Sequence, residues 1–286
     1  MKNLLKIFLP FIFIFGTKAT GCGQTQIYPW KFPNSGNSPA LGSWPWHGAL
    51  FRRDPQLDTY VCGVTILSKR FVLTIAYCLT DPITQKQIPE NRLFVRVGIT
   101  LVDPPEGHYQ SHDVKAMFIH EAFNWDQVED DIALLRLATK ITYSDYVQPI
   151  CMWQGNSSVE QIVNRTGFIV GWGGKEDNGM AKNLIEAPMT IISEQICIGV
   201  DPVQFLWLYH EDKTFCATNA NETKPQRIDR GSGLYLEVED RWTLRGIASR
   251  AQYSLSSGGY YRMFTDVLYH LEWIRSKGVI VDGKEN

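Results

Sequence analysis

The stretch Phe71-Val72-Leu73-Thr74-Ile75-Ala76-Tyr77-Cys78 begins with four residues whose composition is typical of a β-strand. Seven other segments of the same kind occur along the chain, and turn residues separate them at intervals typical of sandwiches and barrels. They are His47–Phe51, Tyr60–Leu67, Leu93–Val97, Ile132–Leu137, Gly167–Val170, Tyr235–Val238 and Trp242–Ile247. The chain is therefore predicted to be all-β.

One helix is predicted, near the C-terminus. Thr265 is its expected N-cap, Asp266 lies in its first turn, and Gly278 is the expected stop. The apolar residues that would share one face of this helix are Val267, Leu268, Leu271 and Ile274. The predicted architecture is therefore a set of short strands followed by a C-terminal helix.

Length and charge limit the function classes. The chain has 286 residues, 44% of them hydrophobic, so it can bury a large core. This length suits one large all-β domain or two small ones. A formal net charge of −2 argues against nucleic acid or an anionic membrane as the main partner.

The N-terminus has the pattern of a secretory signal peptide over residues 1–20. Lys2 and Lys6 form a basic region, Ile7–Phe15 an apolar region, and Thr17–Gly21 an exit of small residues. A membrane anchor would need roughly 20 apolar residues, and this run is shorter. The protein is therefore predicted to be secreted and extracellular, with no membrane association.

The cysteine and sequon content agrees with an extracellular protein. An even number of cysteines in a secreted chain implies disulfides, although counting alone leaves the connectivity open. No spacing forms a C-x-x-C pair, so no metal site is predicted. The cysteines are Cys22, Cys62, Cys78, Cys151, Cys197 and Cys216, and the candidate glycosylated asparagines are Asn156, Asn164 and Asn221.

Thr74–Cys78 resembles the T-A-A-H-C motif of the trypsin/chymotrypsin-like serine peptidases, and further blocks of that family follow in the same order. The similarity extends from about residue 42 to about residue 277. The other blocks are Gly42–His47, Cys62–Ser68, Asp131–Leu135, Val147–Cys151, Gly171–Gly173 and Phe215–Ala217.

The resemblance implies two antiparallel six-stranded β-barrels, trypsin-like, with a cleft between them and a C-terminal helix docked outside. It implies a leader at residues 21–43, a peptidase-homology domain at 44–277 and a tail at 278–286. It also implies three disulfides, namely Cys22–Cys151, Cys62–Cys78 and Cys197–Cys216.

The family's catalytic groups do not all survive in this chain. Tyr77 replaces the histidine base, and a phenol with a pKa near about 10 is a poor base at neutral pH. Arg230 replaces the nucleophilic serine, and Ile228 replaces a glycine whose N–H contributes to the oxyanion hole. Asp131 remains, as an expected buried acceptor for the Tyr77 hydroxyl. Ser232 is not expected to replace the nucleophile, because no base lies beside it.

The specificity pocket and the activation site also differ from the family pattern. Lys224 falls near the pocket-base position, and Arg250 replaces a tryptophan at the pocket wall. Lys224, Arg227 and Arg230 could form a cationic patch, with solvated or acid-paired side chains as the plainer interpretation. The stretch Lys31–Gly36 lacks a basic-Ile/Val junction, so Asp229 is expected to pair with Arg230 or Arg227 or to point outward.

These features predict a non-catalytic serine protease homologue of arthropod type. It would bind extracellular proteins, such as proteases or other cascade components, as a cofactor or regulator in a proteolytic or immune cascade. The expected contacts are the cleft rim and the loops Thr100–His112 and Lys175–Lys182. The alternatives are a serine-type endopeptidase with a rearranged active site, and a binder of small ligands or glycosaminoglycans through the cationic patch. No cofactor is predicted.

Overall fold

The computed structural model describes residues 21–26, 38–81, 83–104, 109–155, 158–173, 183–210, 212–219, 230–254 and 259–280. The predicted signal peptide lies outside these ranges. Among the described residues, no helix is both long and apolar enough to cross a membrane.

Six strands close into the first barrel. Every neighbouring pair is antiparallel, in the order β1-β2-β3-β6-β5-β4. The strands are β1 His47–Arg52, β2 Thr59–Ile66, β3 Phe71–Thr74, β4 Leu93–Val97, β5 Gln110–Ile119 and β6 Ala133–Leu137. Short 3-10 helices follow β3 at Ala76–Leu79 and precede β4 at Glu90–Arg92.

Six later strands form the second barrel, in the order β11-β8-β9-β10-β13-β12, and the pairing of β11 with β12 closes it. The short strand β7, Cys151–Met152, adds in parallel to β12. The barrel strands are β8 Thr166–Gly171, β9 Ile185–Ile192, β10 Thr214–Asn219, β11 Gly233–Val238, β12 Arg241–Ser254 and β13 Gly259–Asp266. A 3-10 helix at Val159–Ile162 precedes β8. The predicted two-barrel, trypsin-like architecture is confirmed.

All eight predicted strands are present, and four long strands were not predicted. Strand β5 contains Gln110 to His112, which were expected in a surface loop; His112 is buried, and its Nδ1 lies 2.6 Å from Thr139 Oγ1. Strand β9 contains Pro188, a residue that argues against a strand in sequence. Strands β10 and β13 were not predicted either. Two helices, α1 Glu194–Val200 and α2 Pro202–Leu208, also lie between β9 and β10 without having been predicted.

The C-terminal helix exists, but its predicted start is wrong. Helix α3 spans Leu271–Ser276 with His270 at the N-cap, while Thr265 and Asp266 end β13. The reason lies in the side chains: Thr265 Oγ1 donates to Asp131 O at 3.0 Å, and Asp266 accepts the Leu268 and Tyr269 amides. Those bonds make a turn between the strand and the helix.

Three disulfides join the chain as the resemblance implied, pairing Cys22 with Cys151, Cys62 with Cys78, and Cys197 with Cys216. Beside the Cys22–Cys151 disulfide, Gly23 N donates to Pro149 O at 2.8 Å, and Gly23 O accepts from Trp242 N at 2.9 Å. Gly23 has φ +65°, and a Cβ there would overlap the Trp242 carbonyl. Cys22 and Gly23, in the predicted leader, are thus bonded to β7 and β12 of the second sheet.

A buried carboxylate lies beside the aromatic cluster between the barrels. Trp44 stacks on Tyr235 at 5.7 Å and meets Trp242 edge-on at 4.9 Å. Trp44 Nε1 donates to Glu186 Oε2 at 2.7 Å. Burial of Glu186 raises the pKa of its carboxyl from 4.5 to about 7, which the Trp44 hydrogen bond only partly opposes.

We expect the free energy of unfolding to decrease as the pH rises, because of Glu186. The folded state keeps this proton up to about pH 7, whereas the unfolded chain loses it near 4.5, so the free energy of unfolding decreases as pH rises between those values. Glu186→Gln keeps an acceptor for Trp44 and should stabilise the protein above pH 7 by about 1–3 kcal/mol. Urea denaturation at pH 4.5, 6 and 8 checks this. A variant equal to the wild type at pH 8 would contradict it.

Candidate functional site

The structure brings Tyr77 and Asp131 together at the rim of the first barrel. Tyr77 lies in the 3-10 turn after β3, and Asp131 lies just before β6. The Tyr77 backbone N–H donates to Asp131 Oδ1 at 2.8 Å, and Ser249 Oγ donates to Oδ2 at 2.6 Å. Asp131 is therefore a buried acceptor, as expected. The expected donor was wrong, because the Tyr77 amide makes the bond rather than its hydroxyl.

Burial dominates the electrostatics of Asp131. Removal from water raises the pKa of its carboxyl from 3.8 to about 6, although the bonds from Ser249 and Tyr77 and the charges of Arg230 and Arg250 act the other way. Ser249, which comes from β12 of the second barrel, thus links the two barrels through this carboxylate.

The Tyr77 ring has two contacts of its own. Trp125 stacks on it with ring centroids 4.5 Å apart and an interplanar angle of 12°. The guanidinium carbon of Arg230 lies 4.3 Å from the Tyr77 centroid, which is a cation–π distance. The backbone of Arg230 is fixed as well, since its carbonyl accepts from Gly63 N at 2.9 Å. The exposed Arg230 side chain therefore lies over the phenol that neighbours Asp131.

Ser232 is buried away from this site. Its side chain is fully buried, and a Cβ on Gly63 would overlap its hydroxyl. Its carbonyl accepts from Ala248 N at 2.8 Å, and Gly231 between Ser232 and Arg230 has φ +80°. This tight turn leaves the Arg230 side chain exposed and the Ser232 side chain buried.

Arg250 contributes a second cation. It is half-buried on β12, directly after Ser249, and its pKa is lowered by burial and by the nearby charge of Arg230. Within the described residues, neither Arg230 nor Arg250 forms an ion pair with a carboxylate. The site therefore combines two guanidinium groups, two aromatic rings and one buried carboxyl.

Several predicted positions lie outside the described residues. These are Lys31–Gly36, Asn156, Lys175–Lys182, Asn221, Lys224, Arg227, Ile228 and Asp229. Of the three sequons, the one at Asn164 is described. Asn164 is exposed at a positive φ of 67°, in the turn before β8.

A protein-family model described as Trypsin matches residues 33–274. The chain belongs to the trypsin family. Among curated proteins, this trypsin-family chain is 28% identical over 269 residues to Limulus clotting factor C of Carcinoscorpius rotundicauda, covering 89% of this chain and 26% of that protein. It is 26% identical over 273 residues to Serine protease gd of Drosophila melanogaster, covering 82% of this chain and 50% of that protein.

A third relative is nearer in length. The chain is 26% identical over 269 residues to CLIP domain-containing serine protease B15 of Anopheles gambiae, covering 89% of this chain and 71% of that one. By contrast, this member of the trypsin family spans about a quarter to a half of the length of the first two relatives.

Sequence reasoning missed Trp125 as a member of the trypsin-family cleft. It comes from the loop between β5 and β6 and is part of no motif of the resemblance. The one available signal was a large aromatic residue between polar neighbours in the segment that precedes Asp131. Which ring it would cover depends on the path of that loop, and the sequence does not specify this path.

We expect Ser249→Ala to destabilise the protein by about 1–3 kcal/mol, because it removes a hydrogen-bond donor from a buried carboxylate. Ser111→Ala, at an exposed position in β5, is the matched control and should change stability by less than about 0.5 kcal/mol. Chemical denaturation of both variants measures the difference. Equal effects would show that the Ser249 bond contributes nothing beyond strand propensity.

Proposed function

We propose that this trypsin-family protein is a secreted, non-catalytic serine protease homologue that acts by binding other extracellular proteins. The observation that carries the proposal is the environment of Asp131. Its carboxylate has the Tyr77 amide and the Ser249 hydroxyl as partners, and the groups that face the cleft beside it are a phenol and a guanidinium.

Neither group supplies the chemistry of a serine peptidase. A general base works best when its pKa lies near the operating pH, and a phenol is ordinarily about three units too high. A guanidinium stays protonated and has no hydroxyl to attack a carbonyl. We therefore assign Tyr77, Asp131 and Arg230 to degenerate triad positions. On the resemblance, we assign Ile228 to the oxyanion position and Lys224 to the pocket position.

No other described histidine takes the place of the base. Asp131 accepts from no histidine in the described part of the chain. His47 is fully enclosed, and burial lowers its pKa to about 3. The others have partners elsewhere: His112 with Thr139, His210 with Gln127 O, and His120 and His270 near Asp130.

A binding role fits the surface that remains. The barrels, the disulfides and the Asp131 cluster are intact, so the cleft is folded although its reactive groups differ. Arginine and aromatic side chains are the types enriched at protein interfaces, and Arg230, Tyr77 and Trp125 offer both. Three disulfides and the predicted signal peptide support an extracellular location. Relatives named as a clotting factor and as proteases support a partner from a proteolytic cascade.

Activity-based labelling tests the absence of catalysis. Folded, secreted protein is incubated with a fluorophosphonate probe and with peptide substrates, beside an equal amount of an active trypsin-like enzyme. We expect no labelling and no turnover above the buffer rate, before or after treatment with a protease that cuts after Arg or Lys. Stoichiometric labelling would instead support an endopeptidase with a rearranged site.

Affinity capture tests the binding role. The wild type and the Arg230→Glu variant are used as bait in the native extracellular fluid, with Arg53→Glu, an exposed cation on the first barrel, as the control. A partner of the cleft should be retained by the wild type and by the control but lost with Arg230→Glu. Equal retention by all three would place the binding surface elsewhere.

A further inference from the structure

We propose that His120, Asp130 and His270 form a binding site for a divalent transition-metal ion, with Zn²⁺ as the best fit. The site is separate from the cleft and does not depend on the proposed function. One ligand atom from each of the three side chains lies within 4.8 Å of those of the other two. His270 and Asp130 are buried, and His120 is half-buried, which leaves one side open to an entering ion.

The orientation of His270 suits a metal ligand. Its Nδ1 lies 2.7 Å from the Asp266 carbonyl oxygen, which can only accept, so Nδ1 carries a proton. Its Nε2 lies 2.9 Å from Asp130 Oδ1, which is also an acceptor when ionised. A neutral imidazole has one proton and cannot donate to both, so either an imidazolium or a metal ion between Nε2 and Oδ1 satisfies this arrangement. A cation shared by Nε2 and Oδ1 satisfies both lone pairs, and a backbone carbonyl on the other ring nitrogen is the usual support of a ligating histidine.

His120 adds the third ligand. Ligation through its Nε2 requires the ring proton on Nδ1, and this tautomer gives up the long 3.3 Å contact in which Nδ1 accepts the Ala122 N–H. The ring meets that of His270 edge-on, with centroids 5.2 Å apart and an interplanar angle of 89°. Small side-chain rotations would bring three ligands to about 2.0–2.2 Å from one ion, and water could take the fourth position.

The local charge accommodates a cation. Asp130 Oδ2 accepts from Lys213 Nζ at 3.1 Å, and the same ammonium lies 2.5 Å from Glu129 Oε1. Two carboxylates against one ammonium leave a net charge of −1. Lys213 therefore fixes the second oxygen of Asp130 and leaves Oδ1 to the ion. Two imidazoles and one carboxylate favour zinc or a similar ion over calcium or magnesium, which take oxygen ligands.

The position gives such an ion a structural consequence. His120 follows β5 and Asp130 precedes β6, so the two ligands stand at the ends of the segment that carries Trp125. His270 is the N-cap of α3. A bound ion would tie both ends of that segment to the C-terminal helix, and would thereby hold the ring that stacks on Tyr77.

Calorimetric titration of the full secreted protein, stripped of metal with a chelator, tests the proposal with ZnCl₂ as the probe. We expect one equivalent to bind the wild type and to raise its melting temperature. All six cysteines are in disulfides, so thiolates do not compete for the ion. His120→Gln should weaken binding at least about tenfold, and His270→Gln should do the same if it folds.

His210→Gln is the matched control, because His210 also faces the β5–β6 loop, with Nε2 3.5 Å from Gln127 O, but is not one of the three ligands. It should bind zinc like the wild type. A half-exposed residue such as His120 is replaced with little risk to the fold, so its variant decides the outcome. No zinc binding by the wild type below about 1 mM, or equal affinity in His120→Gln, would overturn the proposal and leave an Asp130–His270 ion pair.

Discussion

The double variant Tyr77→His/Arg230→Ser is expected to remain without measurable peptidase activity, although it restores the two side chains that define the family's chemistry. The Asp131 cluster would be in place for the new histidine, because the amide of residue 77 and Ser249 already orient the carboxylate. The remaining groups still oppose catalysis. Arg250 lies close enough to lower the stability of an imidazolium at position 77, and that cation must form during acylation.

Two further features of the cleft are expected to lower the activity of the double variant. Ile228 stands where the resemblance places a glycine whose N–H is an oxyanion donor, and a β-branched residue is restricted at positive φ and crowds the cleft. Loss of one such donor costs about 10²–10³ in kcat, which is the upper bound for a misplaced N–H at this position. Trp125 also covers the ring at position 77 and would stack on the histidine instead. We expect no turnover above the buffer rate, which is at least about 10³-fold below that of an active trypsin-like enzyme. The measurement is hydrolysis of fluorogenic peptides, with circular dichroism as the control for folding. Turnover within about tenfold of the active enzyme would show that the cleft is still catalytically competent.

The fold was predictable from sequence because its motifs mark places where the chain must be regular and buried. Phe71–Thr74 is a strand in the structure with the same bounds, and Cys78 in the turn after it pairs with Cys62 of β2. Strands β5 and β9 were missed for physical reasons. Strand β5 carries charged and polar residues on one side. In β9, Pro188 is paired with Phe168 of β8, whereas the pairing of β9 with β10 begins at Thr190, so no ladder bond to β10 is lost at the proline.

The site was predictable only in part. The motif positions predicted that Tyr77, Asp131 and Arg230 belong to the site, but they did not predict which atoms of these residues are in contact. That the amide rather than the hydroxyl of Tyr77 reaches Asp131 is a consequence of the 3-10 turn at Ala76–Leu79. The stack of Trp125 and the cluster around His270 both depend on loops and on tertiary packing. Residues far apart in sequence meet there, such as Asp130 and His270 at 2.9 Å, and no local pattern encodes that distance.

The largest stability effect is expected from Asp266→Asn, which breaks a buried ion pair. Arg245 is fully buried, and its guanidinium lies 5.3 Å from the Phe215 ring and 5.7 Å from that of Trp153. Its Nη1 bonds the Asp266 carboxylate, which is also buried. Asparagine keeps the shape and an acceptor for the Leu268 amide, so the variant removes mainly the charge. The variant therefore takes the acidic member out of a buried ion pair, and removal of one partner of such a pair costs about 3–5 kcal/mol.

Two comparisons separate this mechanism from a general effect of mutation. Asp113→Asn removes the carboxylate from an exposed ion pair in which Arg53 Nη2 lies 2.5 Å from Asp113 Oδ1. Because solvent screens this pair, the variant should lower the free energy of unfolding by less than about 1 kcal/mol. Arg245→Met/Asp266→Asn removes both members of the buried pair and should be more stable than Asp266→Asn alone, since replacing a whole buried pair costs less than removing one partner. Thermal denaturation measures all three, with a drop in Tm of roughly 6–20 °C expected for Asp266→Asn. A double variant less stable than the single one would mean that Arg245 contributes through packing against Phe215 and Trp153 rather than through its charge.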